Sequence, residues 1–560
     1  MNTEKQKNKK NSFLITAGIF YFFYIVLILK YTPILMQDGL PGLILNFGDF
    51  NIKDLIKFNW DIKYFLIGSL IYLIVVSLIY YSDRGIRHND AYGSSEWGSI
   101  KKLNKKFKDK KKSFNIILSK ELRMGLDGYK TQRNANVIVL GGSGAGKTRG
   151  YVLPNLMQLN SSYIVLDPKG EIVRQAGVML EDAGYELKIL DLKEMEKSNG
   201  YNPFKYLRKQ QDVMTLVNNY ISNTTPKDSK SSDPFWEKSE VMLLYALVFL
   251  LYEGARPEEQ NFGSICDLLG EIDVLEDESR GNQRLSAIDE VFKWHGENNP
   301  DSLAVRYFND FRTKAPGKTA RTILLTVAVR MAPFYLPEVR RVMSHDEMDF
   351  SNLGKRKQAI FCVIPDDDKT FNFLVSMVYT QCFQELYLIA DREYHGRLPI
   401  PVQFIMDEFA NVKTPENFIE LLSTMRSRGI SCSIILQTIA SLKKEFGEHE
   451  YEGIIGNCDE FVYLGGNEPS SHKYISEMLG KETINIATDS RTKSSQGSTS
   501  KNYQQTGREL LTESEVRELN RNKSIIFISG EKPIIDNKFS LKNHKNYKHI
   551  TDGGGRPYAY

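Results

Sequence analysis

The residues Gly141, Gly142, Ser143, Gly144, Ala145, Gly146, Lys147 and Thr148 have the spacing G-x-x-x-x-G-K-[ST] of a phosphate-cradling loop. Glycines at these positions let successive backbone N–H groups curl round a polyphosphate. Lys147 then reaches the β- and γ-phosphates of ATP, and the Thr148 hydroxyl ligates Mg²⁺. A second cluster supplies what the first lacks. The run Val402-Gln-Phe-Ile-Met406 ends in Asp407 and Glu408, a pair suited to hold Mg²⁺ through its water shell (Asp407) and to accept a proton from the attacking water (Glu408). Paired acids also suit a helix start, where they favour the dipole. Gln437 closes the next apolar run and can sense the γ-phosphate or orient water. Arg426 and Arg428 lie just before that run. They fit a helix C-terminus electrostatically and are also candidates for an arginine finger that completes a neighbouring subunit's site.

These groups need a scaffold that brings loop ends together, and the pattern of the chain supplies one. Val137 to Leu140 is a short apolar run entering the glycine loop, and a helix is expected from about Lys147 to Leu156. Strand-like runs recur at Tyr163 to Asp167, Leu187 to Leu192, Ala359 to Ile364, Val402 to Glu408, Cys432 to Gln437, Glu460 to Leu464 and Ser524 to Ile528. Helical stretches separate many of them, which is the signature of parallel βαβ units. From about Tyr206 to Phe334 the period is helical instead, interrupted by a polar linker (Asn223 to Asp233) and an acidic, Asn-rich tract (Glu271 to Asn299). The expected class is α/β, with an all-α domain inserted in a parallel sheet. A Ser/Gln/Thr/Lys-rich stretch, Ser490 to Gln505, reads as a mobile loop, and the polar segment after Lys532 reads as a fraying tail.

With 560 residues, 41% of them hydrophobic, the chain is long enough for more than one packed domain. A formal net charge of +4 permits contact with nucleic acid or anionic lipid without arguing for either. Five dispersed cysteines contain no C-x-x-C pair, so no zinc site or disulfide framework is suggested. Two apolar runs, about 13–31 and 64–81, approach the ~20 residues that span a bilayer core. A cleaved signal peptide fits the first run less well, because no small-residue cleavage site follows it. Lysines before the first run, and Arg84 and Arg87 after the second, put both ends in the cytoplasm by the positive-inside rule. The lysine-rich stretch from Lys101 to Lys112 reads as a solvated helix or loop, or as a phosphate contact. The resulting division is a transmembrane hairpin (1–83), a nucleotide-binding domain (84–205 with 316–535), an all-α insertion (206–315) and a flexible tail (536–560).

Further stretches carry a resemblance. The two spans, Tyr92 to Gly98, the loop Gly141 to Thr148, Asp167-Pro-Lys-Gly-Glu171 and Asn202-Pro-Phe204 all contribute. So do Asp233 to Glu240, Gly317-Lys-Thr319, Met406 to Ala410, Arg426 to Gly429, Leu436-Gln437 and Arg508 to Thr512. Together they resemble the type IV secretion coupling proteins, the TraG/TraD-like conjugation ATPases. That resemblance implies a RecA-like, membrane-anchored P-loop ATPase using ATP and Mg²⁺. It implies a homo-hexamer with ATP sites between subunits, and a role linking single-stranded DNA with its bound relaxase to a type IV secretion channel. It also implies that Arg426 is the finger arginine and that the all-α domain is the docking surface for the DNA–protein substrate.

Two other readings stay open at the level of sequence. A double-stranded DNA translocase of the cell-division or HerA kind shares the motor, although 532–560 is too short for the winged-helix reader that would support it. An ATPase recruiting protein substrates to a secretion channel is the other. A solute transporter is disfavoured, because the ABC-type signature Leu-Ser-Gly-Gly-Gln is absent.

Overall fold

A computed structural model describes residues 2–46, 62–82, 92–225, 234–272, 286–315, 317–492 and 498–560. The chain separates into two compact units, residues 1–94 with 483–507 and residues 95–482 with 508–560.

In the first unit a helix covers Asn2–Asn46, broken at Gly39, and another covers Ile62–Ser82. Part of the first, Thr16–Leu40, is long and apolar enough to cross a membrane, while the apolar length of the second is shorter (Ile62–Leu78). They pack against each other through tyrosines. Tyr72 donates to the Ala17 carbonyl at 2.5 Å, and the Tyr21 hydroxyl lies 2.7 Å from that of Ser69. The expected mobile loop takes another form among its described residues. Strands β10 (Lys481–Thr492) and β11 (Ser498–Glu509) pair as a two-stranded ribbon, and 493–497 lie outside the described residues. The ribbon starts before that stretch, at Thr483, Ile484, Ile486 and Thr488, whose β-branched side chains favour extended backbone.

The second unit is built on one sheet. A small hairpin, β1 (Asn115–Ile117) and β2 (Arg123–Gly125), precedes it. The strands of the sheet are β3 (Val137–Leu140), β4 (Ser162–Pro168), β5 (Glu186–Asp191), β6 (Gln358–Ile364), β7 (Val402–Met406), β8 (Ile430–Leu436), β9 (Glu460–Tyr463), β12 (Lys523–Ile528) and β13 (Ile534–Asn537). Their spatial order is β13-β12-β9-β3-β8-β7-β4-β6-β5. The pairs from β9 to β5 are parallel, and β12 and β13 add an antiparallel edge. The inner strands are buried along their whole length, as sheets covered on both faces require.

Between β5 and β6 the chain is helical. Helices Gln210–Thr224, Pro234–Gly254, Phe262–Gly270, Ala287–Asn298, Leu303–Lys314, Lys318–Met331 and Pro337–Ser344 follow one another, and 226–233, 273–285 and 316 lie outside the described residues. The helical run therefore continues past residue 315. Helix Lys318–Met331 buries Ile323, Val327 and Met331 against the preceding helices. Its Arg330 pairs with Glu240 at 2.7 Å and donates to Thr224 at 2.7 Å. Phe249, Phe262, Phe334 and the sheet residues Ile138, Leu166 and Phe404 belong to one continuous core. The insertion is helical, but it has no separate core.

The lysine-rich stretch begins as an amphipathic helix, Ile100–Phe107, with Leu103 and Phe107 buried and its lysines exposed. The five cysteines are free.

The expected fraying tail is ordered. β13 continues the sheet, Leu541 and Ile550 are buried, and Tyr558 lies over Gly177, where a Cβ would come within 2.4 Å of its ring. The Tyr560 hydroxyl donates to Asp191 at 2.5 Å. A few apolar residues spaced among polar ones carry this packing, and average composition hides them. Ile550→Ala should cost about 3 kcal/mol in urea unfolding of the full chain, and an unchanged midpoint would show that the tail does not contribute.

One buried carboxyl stands apart. Glu460 opens β9 with no exposed surface, and neither oxygen has a hydrogen-bond partner. Burial, reinforced by the neighbouring Asp459 charge, pushes its pKa well above the ordinary carboxylate value. A raised folded-state pKa gives stability that is complete below the unfolded value, about 4.3, and is lost as pH rises. Glu460→Gln should therefore gain stability relative to the parent as pH rises above the unfolded carboxyl's range, about 4.3. Chemical denaturation at several pH values measures this, and a pH-independent difference would refute it.

Candidate nucleotide site

The glycine loop leaves the carboxyl end of β3. Gly141 N–H donates to the Leu436 carbonyl and Gly142 N–H to that of Gly465, so the neighbouring strands β8 and β9 pin the loop's entry. Gly142 passes so close to Gly466 that a Cβ would stand 3.1 Å from its Cα. Gly146 has φ +85°, a conformation that L side chains rarely adopt. The N–H groups of Gly144 and Gly146 meet no acceptor among the described residues and remain available to an anion. Lys147 folds over the loop and donates to the carbonyls of Gly141 (2.9 Å) and Gly142 (3.4 Å). Burial lowers the pKa of its ammonium, opposed by the charges of Asp407 and Glu408. After Lys147 one π-turn, Thr148–Val152, leads into helix Leu153–Leu156.

The acids arrive from the strand next but one. β3 pairs with β8, Leu140 opposite Leu436, and β8 pairs with β7, Ile434 opposite Met406. The three carboxyl ends are thereby level. The Thr148 hydroxyl donates to Asp407 Oδ2 at 3.1 Å. Asp407 is buried, which raises its pKa, while the Thr148 hydrogen bond and Lys147 pull it back. A hydroxyl and a carboxylate converging on one point form an oxygen donor set that fits Mg²⁺.

Glu408 sits at φ +55°, outside the usual range for a non-glycine residue. Gln437 Nε2 donates to its Oε1 at 3.0 Å, and Asn411 Nδ2 donates to its Oε2 at 2.8 Å. Gln437 is thus brought directly to the Glu408 carboxylate.

Arg426 is not brought to this site. Helix Phe418–Arg428 runs back along β7, so its last turn lies at the amino ends of the strands. The length of β8, about 20 Å at ~3.3 Å per residue, separates that edge from the loop. Arg426 is exposed there and makes no ion pair among the described residues, its side chain packing against Gly128. Arg428 is engaged within the chain, paired with Asp391 at 2.8 Å over the ring of Tyr387.

Three further residues stand at or beside the site, of which the sequence marks only Asp167, within the Asp167-Pro-Lys-Gly-Glu171 stretch and without a role. Asp167, fully buried at the end of β4, accepts from the N–H groups of Ile172 and Val173. Burial raises its pKa to about 7 against those two hydrogen bonds. Lys538 comes from the segment read as tail and donates to the Ala145 carbonyl of the glycine loop at 2.9 Å. Its only signal was an unexplained basic residue in a polar stretch. Asn411 stands three residues after Glu408, a spacing at which one turn brings the two together.

Comparison with known proteins sets this geometry in context. The conjugal transfer protein TraG of Rhizobium radiobacter is 22% identical over 410 residues, covering 71% of this chain and 60% of that protein. TraG of Escherichia coli is 25% identical (66% and 59%), and VirD4 of Rhizobium radiobacter is 21% identical (74% and 58%). The chain therefore spans about 60% of the length of the curated relatives it matches. Among solved structures, the unbound bacterial conjugative coupling protein TrwBdeltaN70 superposes with a TM-score of 0.58 at 15% identity, over 81% of this chain and 96% of that one. The same coupling protein in complex with the ATP analogue ADPNP gives 0.58, and with ADP and Mg²⁺ 0.56, both at 14% identity. The likeness shows the fold: a RecA-like P-loop NTPase with a mixed sheet. Residues 96–548 match the family model described as type IV secretory system conjugative DNA transfer. The chain belongs to the type IV secretory system conjugative DNA transfer family.

Proposed function

We propose that this chain is a membrane-anchored ATPase that couples a relaxase-bound DNA strand to a type IV secretion channel during conjugation. The observation that carries the reading is the meeting of Thr148 with Asp407, and of Glu408 with Gln437, at one sheet edge beside a complete phosphate loop. Membership of the conjugative transfer family and the ADPNP complex of TrwB support ATP as the nucleotide. A bound Mg²⁺ would supply neutralisation of the charge on the nucleotide phosphates. Lys147 would exchange its carbonyl partners for phosphate oxygens, Thr148 and Asp407 would hold the metal, and Glu408 would take the proton of the attacking water.

In this reading Arg426, on the far edge of its own chain's sheet, acts as a neighbour's finger within a ring of subunits. A homo-hexamer anchored by two helices, with the motor in the cytoplasm, completes the proposal. The DNA substrate rests on membership of the conjugative transfer family, and a motor of that class would grip the backbone electrostatically without reading bases.

The direct test is ATP hydrolysis by the full chain in detergent, with and without single-stranded oligonucleotide. Stimulation that fades with added salt is the expected result, and stimulation by duplex alone would favour the double-stranded translocase. Lys147→Ala and Glu408→Gln should each lower kcat by about 10²-fold or more. Glu408→Gln should still bind nucleotide, and turnover retained by either variant would overturn the assignment. Mixing Arg426→Ala chains with Lys147→Ala chains, each inactive alone, should restore part of the activity. No recovery would remove Arg426 from the shared site.

A further inference from the structure

The contacts round Glu408 continue beyond it. Asn411 closes the short turn Phe409–Asn411, and its backbone N–H donates to the Glu408 carbonyl at 2.8 Å. Its side-chain amide donates to Glu408 Oε2, and its Oδ1 accepts from Lys369 Nζ at 2.8 Å, on the loop after β6. Its carbonyl accepts from Asn372 Nδ2 at 2.8 Å. Two residues on, Lys413 Nζ donates to the Ser222 carbonyl at 2.6 Å, at the end of the insertion's first helix. The turn carrying the glutamate is thus tied both to the sheet and to the helical insertion. A cavity of about 600 Å³ separates the two ties, lined by Asn223, Thr326, Val329, Lys369, Asn411 and Lys413. It leaves the turn room to shift without disturbing the core.

We infer that Asn411 is a positioning residue that holds Glu408 in a resting orientation, and that movement of the helical insertion, acting through Lys413, releases it. The inference rests on the proposed ATPase reading and adds the route by which an event at the insertion reaches the site. With Gln437 on Oε1 and Asn411 on Oε2, each carboxylate oxygen already has a protein donor. Swinging Glu408 toward a water in line with the γ-phosphate requires breaking the Asn411 contact, because Asn411 is fixed by three other hydrogen bonds. Gln437 sits on an exposed strand end and can follow. Loss of the Asn411 amide therefore frees the base, while the phosphate loop is untouched.

The test is steady-state ATP hydrolysis by the full chain in detergent, with nucleotide affinity measured in parallel. Asn411→Ala should raise kcat about fivefold with KM unchanged, the effect of removing one restraining hydrogen bond. Lys413→Met, which cuts the tie through which that movement acts, should leave kcat at the parent's basal level and remove the stimulation by single-stranded oligonucleotide. A residue that merely stabilised the loop would instead lower kcat and weaken nucleotide binding together. An unchanged or lower kcat in a folded Asn411→Ala chain overturns the inference. Should that variant not fold, stimulation by single-stranded oligonucleotide that persists in Lys413→Met does so. A parent chain that binds ATP without hydrolysing it overturns the ATPase reading and this inference with it.

Discussion

Parallel pairing leaves neighbouring strands no freedom to slide, because a slip of one residue turns every side chain to the wrong face. In this molecule that constraint fixes the ends of β3, β8 and β7 at one level. Each strand is short and wholly buried, so its register is set by core packing along its whole length. The phosphate loop, the two acids and Gln437 are simply what each strand carries at its end. A cavity made in the core beneath them would loosen the site before any residue of the site was changed.

The same core also joins the helical insertion to the sheet. Tyr220 stacks edge-on with Phe262 and Phe373, and Arg330 and Glu240 form a buried ion pair between helices of the insertion. Such a pair is costly to separate, since each partner would be left as an uncompensated buried charge. Bending within the insertion is thereby opposed. Motion is directed to the loops at its border, and the turn after β7 is one of them.

Much of this was legible in the residues themselves. The phosphate loop announces itself by spacing, and the strands by short β-branched runs. The level placement of Gln437 follows from parallel order alone. Other features depend on what lies far away in sequence. Nothing in the local pattern says that Ile550 finds a buried slot, or that Lys538 reaches Ala145, since both depend on an edge formed by β12 and β13. Asn411 looked like any polar loop residue, and only the backbone twist at Glu408 turns its amide toward the carboxylate. The ribbon of β10 and β11 was hidden by its serines and glutamines, although Ile484, Ile486 and Thr488 alternate in its first strand.

The position of β3 within the sheet constrains how the protein is made. Its two neighbours, β8 and β9, follow only after β4 to β7 and the whole helical insertion, and the edge strand β13 comes later still. A ribosome that has delivered the phosphate loop has therefore delivered a buried strand with nothing to pair against. Pairings of such high sequence separation form slowly and leave apolar edges open meanwhile. During synthesis, then, the most apolar strand of the motor leaves the ribosome before either of the strands it pairs with exists.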